Sequence, residues 1–484
     1  MKNSPLKKYN FLRAINLEMK IIDTNSYIDL CFVHEKDENI RILNIIQAWL
    51  KILKNNVDLI ISLHYEHPEL LNQIKVDFVS LEVDKNTSKF DIVIQNLKFL
   101  PILPSMSILS TITNEIIPKI PKDELRIKEI YFKNITDFNF EGTKMKEPVL
   151  LEAQKQIIRQ QFGVVPKVLS MTVVYNGNPL LWPLILHEYG HVIYKEIKNK
   201  DEMKGVISKL NSTFTEIDVK VDDIVSEIFS DLFAINYYGS SYLFAFYFHE
   251  ILKLDLQKMI GLKDDDKFKF SSHPPSAMRL DYMLKELKKR KDILDDKTLE
   301  KLLEYHSPYQ EEIDKKRNSC LTETQKQFFI TAYEEISRQS DLLDIYPEEK
   351  IGLDTNHIEL LRKNLIERLP ISAIRDIDLQ TLKEGKQGAK KDTENEEPFL
   401  DLDKRNEIRT IIYVGWKHLI FDILDDFYEK KEKDYLKNLD LKFKQNESEI
   451  QKKIKKFSNQ YEFLMKTMIY SIETAVVISN YSED

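Results

Sequence analysis

Cysteine is nearly missing from this chain: Cys31 and Cys320 are the only two, far apart in sequence. Two distant thiols are too few for a disulfide framework or a thiolate zinc site, and they fit a reducing compartment. Glycine is scarce too, with 11 residues, and no Gly-rich phosphate loop or Cys-x-x-Cys pair is found. The opening MKNSPLKKYNFLRAINLEMK has basic residues with no apolar run behind them, so no secretory signal is expected. The most apolar later stretch, Tyr242 to Leu252, contains His249 and Glu250. It falls short of the roughly 20 residues a bilayer requires. A cytoplasmic protein without membrane association is the expectation. An excess of positive charge is also absent, since 71 Lys and Arg face 79 Asp and Glu for a net charge of -8. A duplex nucleic-acid binder would show a basic face or stripe. Local basic runs such as Lys288-Lys289-Arg290-Lys291 are flanked by acidic residues and read as solvated helix faces.

What is present is a normal globular composition, 42% hydrophobic and 31% charged. A length of 484 residues exceeds one ordinary core and implies two or three domains. Residues 1–150 mix two periodicities. Tyr27 to Val33 reads as a buried strand, Ile40 to Leu53 as a helix, and Lys75 to Val83 and Phe90 to Ile94 as strands again. Pro101, Pro104 and Pro118 then interrupt regular structure. This predicts an N-terminal α/β region of unassigned role. Residues 151–290 hold nearly all the chemistry, and 291–484 read as a helical C-terminal domain. Within the latter, the charged stretch from Lys383 to Glu397 is expected to be a mobile loop. The last helix carries Ile450, Ile454, Phe457, Tyr461, Leu464, Met468 and Ile472 at steps of three and four. Such a stripe packs inside a bundle or against a partner helix.

The strongest signal is His187-Glu188-Tyr189-Gly190-His191. On a helix, residues four apart share a face, so both imidazoles can meet one metal ion. Glu188, beside the first histidine, can reach a metal-held water as its general base. Asn178 and Pro179 suit an N-cap and first helical position, while Pro183 offers a second start. In a chain of this composition and length, a His-Glu-x-x-His match arises by chance about once in sixty. Two surface histidines on a helix remain the plain alternative. His34-Glu35 and His249-Glu250 make no second such motif, lacking a histidine three residues after the glutamate.

A catalytic zinc needs three protein ligands and an open position. Val221 to Ala234 reads as a second helix with Ile224, Ile228 and Leu232 in an apolar row. Glu227 and Asp231 lie four apart on it. Glu227 can supply the third ligand, and Asp231 can accept the outer N–H of a ligand histidine. Alone, the pair would read as two acids on a solvated face.

HEYGH followed by SEIFSD resembles the gluzincin metallopeptidases, in which a His-Glu-x-x-His helix precedes a Glu-x-x-x-Asp helix. The resemblance spans about residues 168–280. It implies a zincin-like core in an α+β, mostly helical chain. It also implies Zn2+ on His187, His191 and Glu227, with Glu188 as base and Asp231 supporting a ligand. Ser272-His273-Pro274-Pro275-Ser276-Ala277-Met278-Arg279-Leu280 is similar to the His-Pro plus Arg segment of CAAX prenyl proteases and their bacterial heat-shock relatives. It implies that His273 and Arg279 donate hydrogen bonds to an oxyanion. The alternative is a Pro-punctuated helix start with a solvent-facing arginine. Ser230, where alanine is usual, and the lack of membrane helices depart from that branch and argue against a prenylated or membrane-embedded substrate.

Two further features accompany the motif. Val168 to Tyr175, ended by Asn176-Gly177, is a β-prone run that is either an edge strand able to pair with an extended peptide or a core strand. Tyr237, Tyr238 and Tyr242 follow the second helix, where packing is the simpler reading for each. The expected activity is zinc-dependent hydrolysis of peptide bonds in an intracellular peptide or protein substrate, with no nucleic acid involved and with a protein partner possible at the C-terminal helices. The rival is a catalytically silent zincin-fold scaffold.

Overall fold

The computed structural model describes residues 5–34, 37–66, 83, 85–90, 130–135, 141–144, 167–172, 178–217, 220–251, 274–289, 300, 322–339, 362–363, 404–424 and 446–481. Two helices of 30 residues come first, α1 (Pro5–His34) and α2 (Asp37–Glu66), and they pack against each other. The α+β expectation with an N-terminal α/β region is therefore overturned. Tyr27 to Val33 lies inside α1, and Val83 and residues 85–90 are helical as well. The remainder of the two later strand assignments, and the prolines after them, lie outside the described residues. Periodicity misleads here because the run from Tyr27 to Val33 is short, and buried Tyr27 and Ile28 beside exposed Asp29 suit a helix turn as well as a strand. A short apolar run cannot be assigned to a helix or a strand by periodicity alone. The Ile40 to Leu53 assignment does fall within α2.

Among the described residues, β structure is confined to one small sheet of β1 (Ile130–Ile135), β2 (Glu141–Lys144) and β3 (Lys167–Thr172). Its order is β1-β3-β2, with β1 parallel and β2 antiparallel to β3. The β-prone run before the histidine motif thus occupies the central position, and the edges belong to β1 and β2.

A 3-10 turn (Pro179–Leu181) leads into α3 (Leu184–Ile197), followed by α4 (Asp201–Thr213), α5 (Val221–Tyr238) and α6 (Ser240–Phe246). A π-helical turn, Tyr247–Ile251, extends α6. Then come α7 (Ser276–Lys289), α8 (Glu323–Ser337), α9 (Lys404–His418) with a second π turn at Leu419–Leu424, and α10 (Asn446–Tyr481). The α8 start shows a complete capping box, with Thr322 and Gln325 each satisfying the other's backbone N–H.

The core is one continuous cluster reaching from α1 to α10. At its centre α5 buries Ile224, Ile228, Phe229, Leu232 and Phe233, each contributing about 1.5–3 kcal/mol by removal from water. Phe229 sits between Tyr194 at 5.8 Å and Phe233 at 6.2 Å between ring centroids. The α10 stripe is buried at Ile454, Phe457, Tyr461, Leu464, Met468 and Ile472, and the helix packs on α1, α2 and α9. The apolar repeat thus serves intramolecular packing. The stretch 383–397 lies outside the described residues. No helix among the described residues is long and apolar enough to cross a membrane.

Candidate metal centre

The histidine motif lies on α3, whose start departs from one expectation. The α-helix begins at Leu184 with Pro183 in the cap position, while Asn178 and Pro179 open the preceding 3-10 turn. Asn178 does not cap with its side chain. Its amide instead donates to Asp23 Oδ2 at 2.8 Å and to the Tyr461 hydroxyl at 2.9 Å, and Tyr461 donates to the same carboxylate oxygen at 3.2 Å. The Trp416 indole N–H donates to the Leu180 carbonyl at 3.0 Å. The approach to the motif is thus held by residues of α1, α9 and α10.

Helix α3 packs against α5 more extensively than against any other described element. Their contact is closest at Gly190, where a Cβ would lie 2.6 Å from the Ser230 Cα. Only a residue without a side chain permits this approach. It brings the imidazoles on one helix to the carboxylate on the other. His187 Nε2 lies 3.1 Å from His191 Nε2, 3.3 Å from Glu227 Oε2, and His191 Nε2 is 3.2 Å from Glu227 Oε1. All three candidate ligand atoms fall within 4.8 Å of one another. His187, His191 and Glu227 therefore form a group able to hold a metal ion.

The outer nitrogens are tied down. His187 Nδ1 is 2.9 Å from Asp231 Oδ1, and His191 Nδ1 is 2.8 Å from the Ser226 hydroxyl. With His187 Nδ1–H donating to the Asp231 carboxylate, the His187 Nε2 turns toward the Glu227 carboxylate, and the His191 Nε2 faces the same group. Three electron-pair donors pointing at one spot repel each other unless a proton or cation lies between them. Burial disfavours a charged His187, yet the Asp231 carboxylate and the hydrogen bond to Glu227 push its pKa up to about 10. Protons and a metal ion compete for this ring.

Asp231 is fully buried and accepts from four further donors. Arg279 Nε donates to Oδ2 at 2.8 Å and Arg279 Nη2 to Oδ1 at 2.7 Å. The Tyr242 hydroxyl donates to Oδ1 at 2.6 Å and the Tyr282 hydroxyl to Oδ2 at 2.9 Å. Burial opposes ionisation of Asp231, but the Arg279 guanidinium and His187 hold the carboxyl well below the usual range. Glu227 is held low in the same way, by His187 and His191 and by Arg279, against its burial. Burial and the Asp231 charge raise both tyrosine pKa values, so the two hydroxyls remain donors.

Compared with known proteins, the chain matches no family model, no curated protein and no solved structure. The reading of the site therefore rests on its own geometry. Glu188 is half-buried on α3 directly after His187. Arg279 is buried rather than solvent-facing, with its guanidinium spanning Asp231 and Nη1 3.7 Å from Glu227 Oε2. His273 lies outside the described residues. Sequence reasoning passed over Gly190, Ser226 and Tyr282 and treated Tyr242 as packing. Tyr282 had a legible signal, since it stands three residues after Arg279 and shares its helix face.

Proposed function

We propose that this chain is a zinc-dependent metallopeptidase of the gluzincin type. The observation that carries the reading is the convergence of His187 Nε2, His191 Nε2 and the Glu227 carboxylate within 4.8 Å. Behind it, Asp231 lies 2.9 Å from His187 Nδ1. Two imidazoles and one carboxylate suit zinc, and three protein ligands leave a position open for water or substrate. When bound, zinc supplies a Lewis acid that acidifies water and polarises a carbonyl.

The chain's own residues then have distinct tasks. Asp231 fixes the His187 tautomer and Ser226 holds the His191 ring by its Nδ1, so that each Nε2 would be free to take a bound ion. Glu188 accepts the proton from water as its oxygen adds to the scissile carbonyl carbon. It returns that proton to the amine nitrogen as the C–N bond breaks. Expected substrates are extended peptides or a protein segment.

The test has two parts. Purified chain is expected to carry about one zinc by mass spectrometric metal analysis, lost in Glu227→Ala. Glu188→Gln is expected to keep the zinc and to lose hydrolysis of a peptide library by at least about a hundredfold. Undiminished cleavage by Glu188→Gln would remove its role as base. Zinc uptake with no cleavage by wild type would identify a metal-holding scaffold instead.

A further inference from the structure

The donors around Asp231 do more than satisfy a buried charge. Its Oδ1 accepts from His187 Nδ1, Arg279 Nη2 and Tyr242, and its Oδ2 accepts from Arg279 Nε and Tyr282. A carboxylate offers about four lone-pair directions, so five donors leave it no freedom to rotate. Arg279 fixes the plane of the carboxylate through its fork. The two hydroxyls arrive from α6 and α7 and close the remaining approaches.

Each tyrosine is itself held. The Tyr242 ring lies nearly parallel to the His187 imidazole, at 6.5 Å between centroids and 7° between planes. Tyr282 stacks on Tyr333 of α8 at 5.7 Å and 15°. The Tyr333 hydroxyl donates to Glu286 at 3.1 Å, and Ser337 donates to the same oxygen at 2.8 Å. A chain of contacts thus runs from α8 through Tyr282 and Asp231 to the His187 ring.

We infer that Tyr242 and Tyr282 are positioning residues of the metal centre, acting through Asp231 to hold the His187 imidazole at the angle that metal binding requires. Tyr282 additionally makes that angle depend on the seating of α8. The inference rests on the metal reading above and assigns the two hydroxyls a task beyond packing.

Phenylalanine keeps the ring and removes only the hydroxyl, so Tyr282→Phe and Tyr242→Phe isolate the task. Tyr238→Phe is the control, because Tyr238 is buried on α5 and its hydroxyl makes no hydrogen bond. The full-length proteins are titrated with zinc against a chelator, and their cobalt(II) forms are compared by visible absorption. Loss of either positioning hydroxyl is expected to weaken zinc binding by about tenfold and to shift the cobalt bands. Tyr238→Phe is expected to match wild type in both. Purely structural hydroxyls would lower the melting temperature of the metal-free protein and leave affinity and spectrum unchanged, which would overturn the inference. Should Tyr282→Phe fail to fold, Tyr242→Phe carries the same expectation from a different helix. A wild-type chain that takes up neither metal would overturn the metal reading and this inference together, whereas normal wild-type uptake with unaltered variants would overturn the inference alone.

Discussion

At Gly190 and Ser230 the two helices bearing the candidate ligands meet almost backbone to backbone, with 2.6 Å separating the Ser230 Cα from the place a glycine Cβ would take. A flexible side chain could yield to such an intrusion, but a helix backbone cannot without moving the whole element. Gly190→Ala is expected to force α3 and α5 apart and to destabilise the protein by about 1–3 kcal/mol. Since His191 and Glu227 adjoin the contact, zinc affinity should fall by roughly tenfold or more. Thermal melts of the metal-free protein and a zinc titration would check both. Wild-type values in each would show that the helices can accommodate the methyl group.

Arg279 and Asp231 form a buried, doubly hydrogen-bonded ion pair. Removing one partner of such a pair leaves the other charge uncompensated, which costs about 3–5 kcal/mol. Arg279→Ala is therefore expected to lower the urea midpoint sharply. Arg279→Lys should recover only part of the loss, because an ammonium cannot span both carboxylate oxygens. Full recovery by lysine would mean that charge alone matters there and that the fork geometry does not.

Asp23 gives a pH dependence remote from the candidate metal ligands. Burial pushes its pKa up to about 7, against hydrogen bonds from Asn178 and Tyr461 and the charge of Lys20, which favour the ionised form. The folded chain therefore holds this proton more tightly than the unfolded chain. The resulting stability is fully present below the ordinary carboxylate pKa and is lost as pH rises through about 7. Urea unfolding is expected to show wild type losing stability relative to Asp23→Asn between about pH 4 and 7. Asparagine keeps an acceptor for Asn178 and Tyr461 and carries no ionisation. Parallel pH profiles for the two proteins would exclude the effect.

How far the site could be read in advance depended on the distance over which each relationship acts. His187 and His191 share a face because any helix places residues four apart together, and Glu227 and Asp231 do so for the same reason. The N-terminal region was misread for a related cause. Enclosed between neighbours, α1 buries Arg13, Asn16, Glu18, Lys20 and Asp23 along with its apolar residues. Arg13, Asn16, Lys20 and Asp23, at steps of three and four, form a polar stripe whose burial only the packing of neighbouring helices decides. Arg279 was legible as part of a motif, but whether it faces solvent, an oxyanion or Asp231 was not.

The sequence by itself determined the residues on each helix face: two imidazoles on α3, the Glu227 and Asp231 carboxylates on α5, and Glu188 beside the first histidine. Local helical geometry suffices for that, since 3.6 residues per turn decide which side chains are neighbours. Only the tertiary structure decided that the two faces meet, through the bare backbone at Gly190. It alone also brought Tyr242, Arg279 and Tyr282 onto one carboxylate from 11, 48 and 51 residues away. Contacts over such separations follow from how whole elements pack, and packing is a property of all the surfaces together rather than of any one segment's pattern.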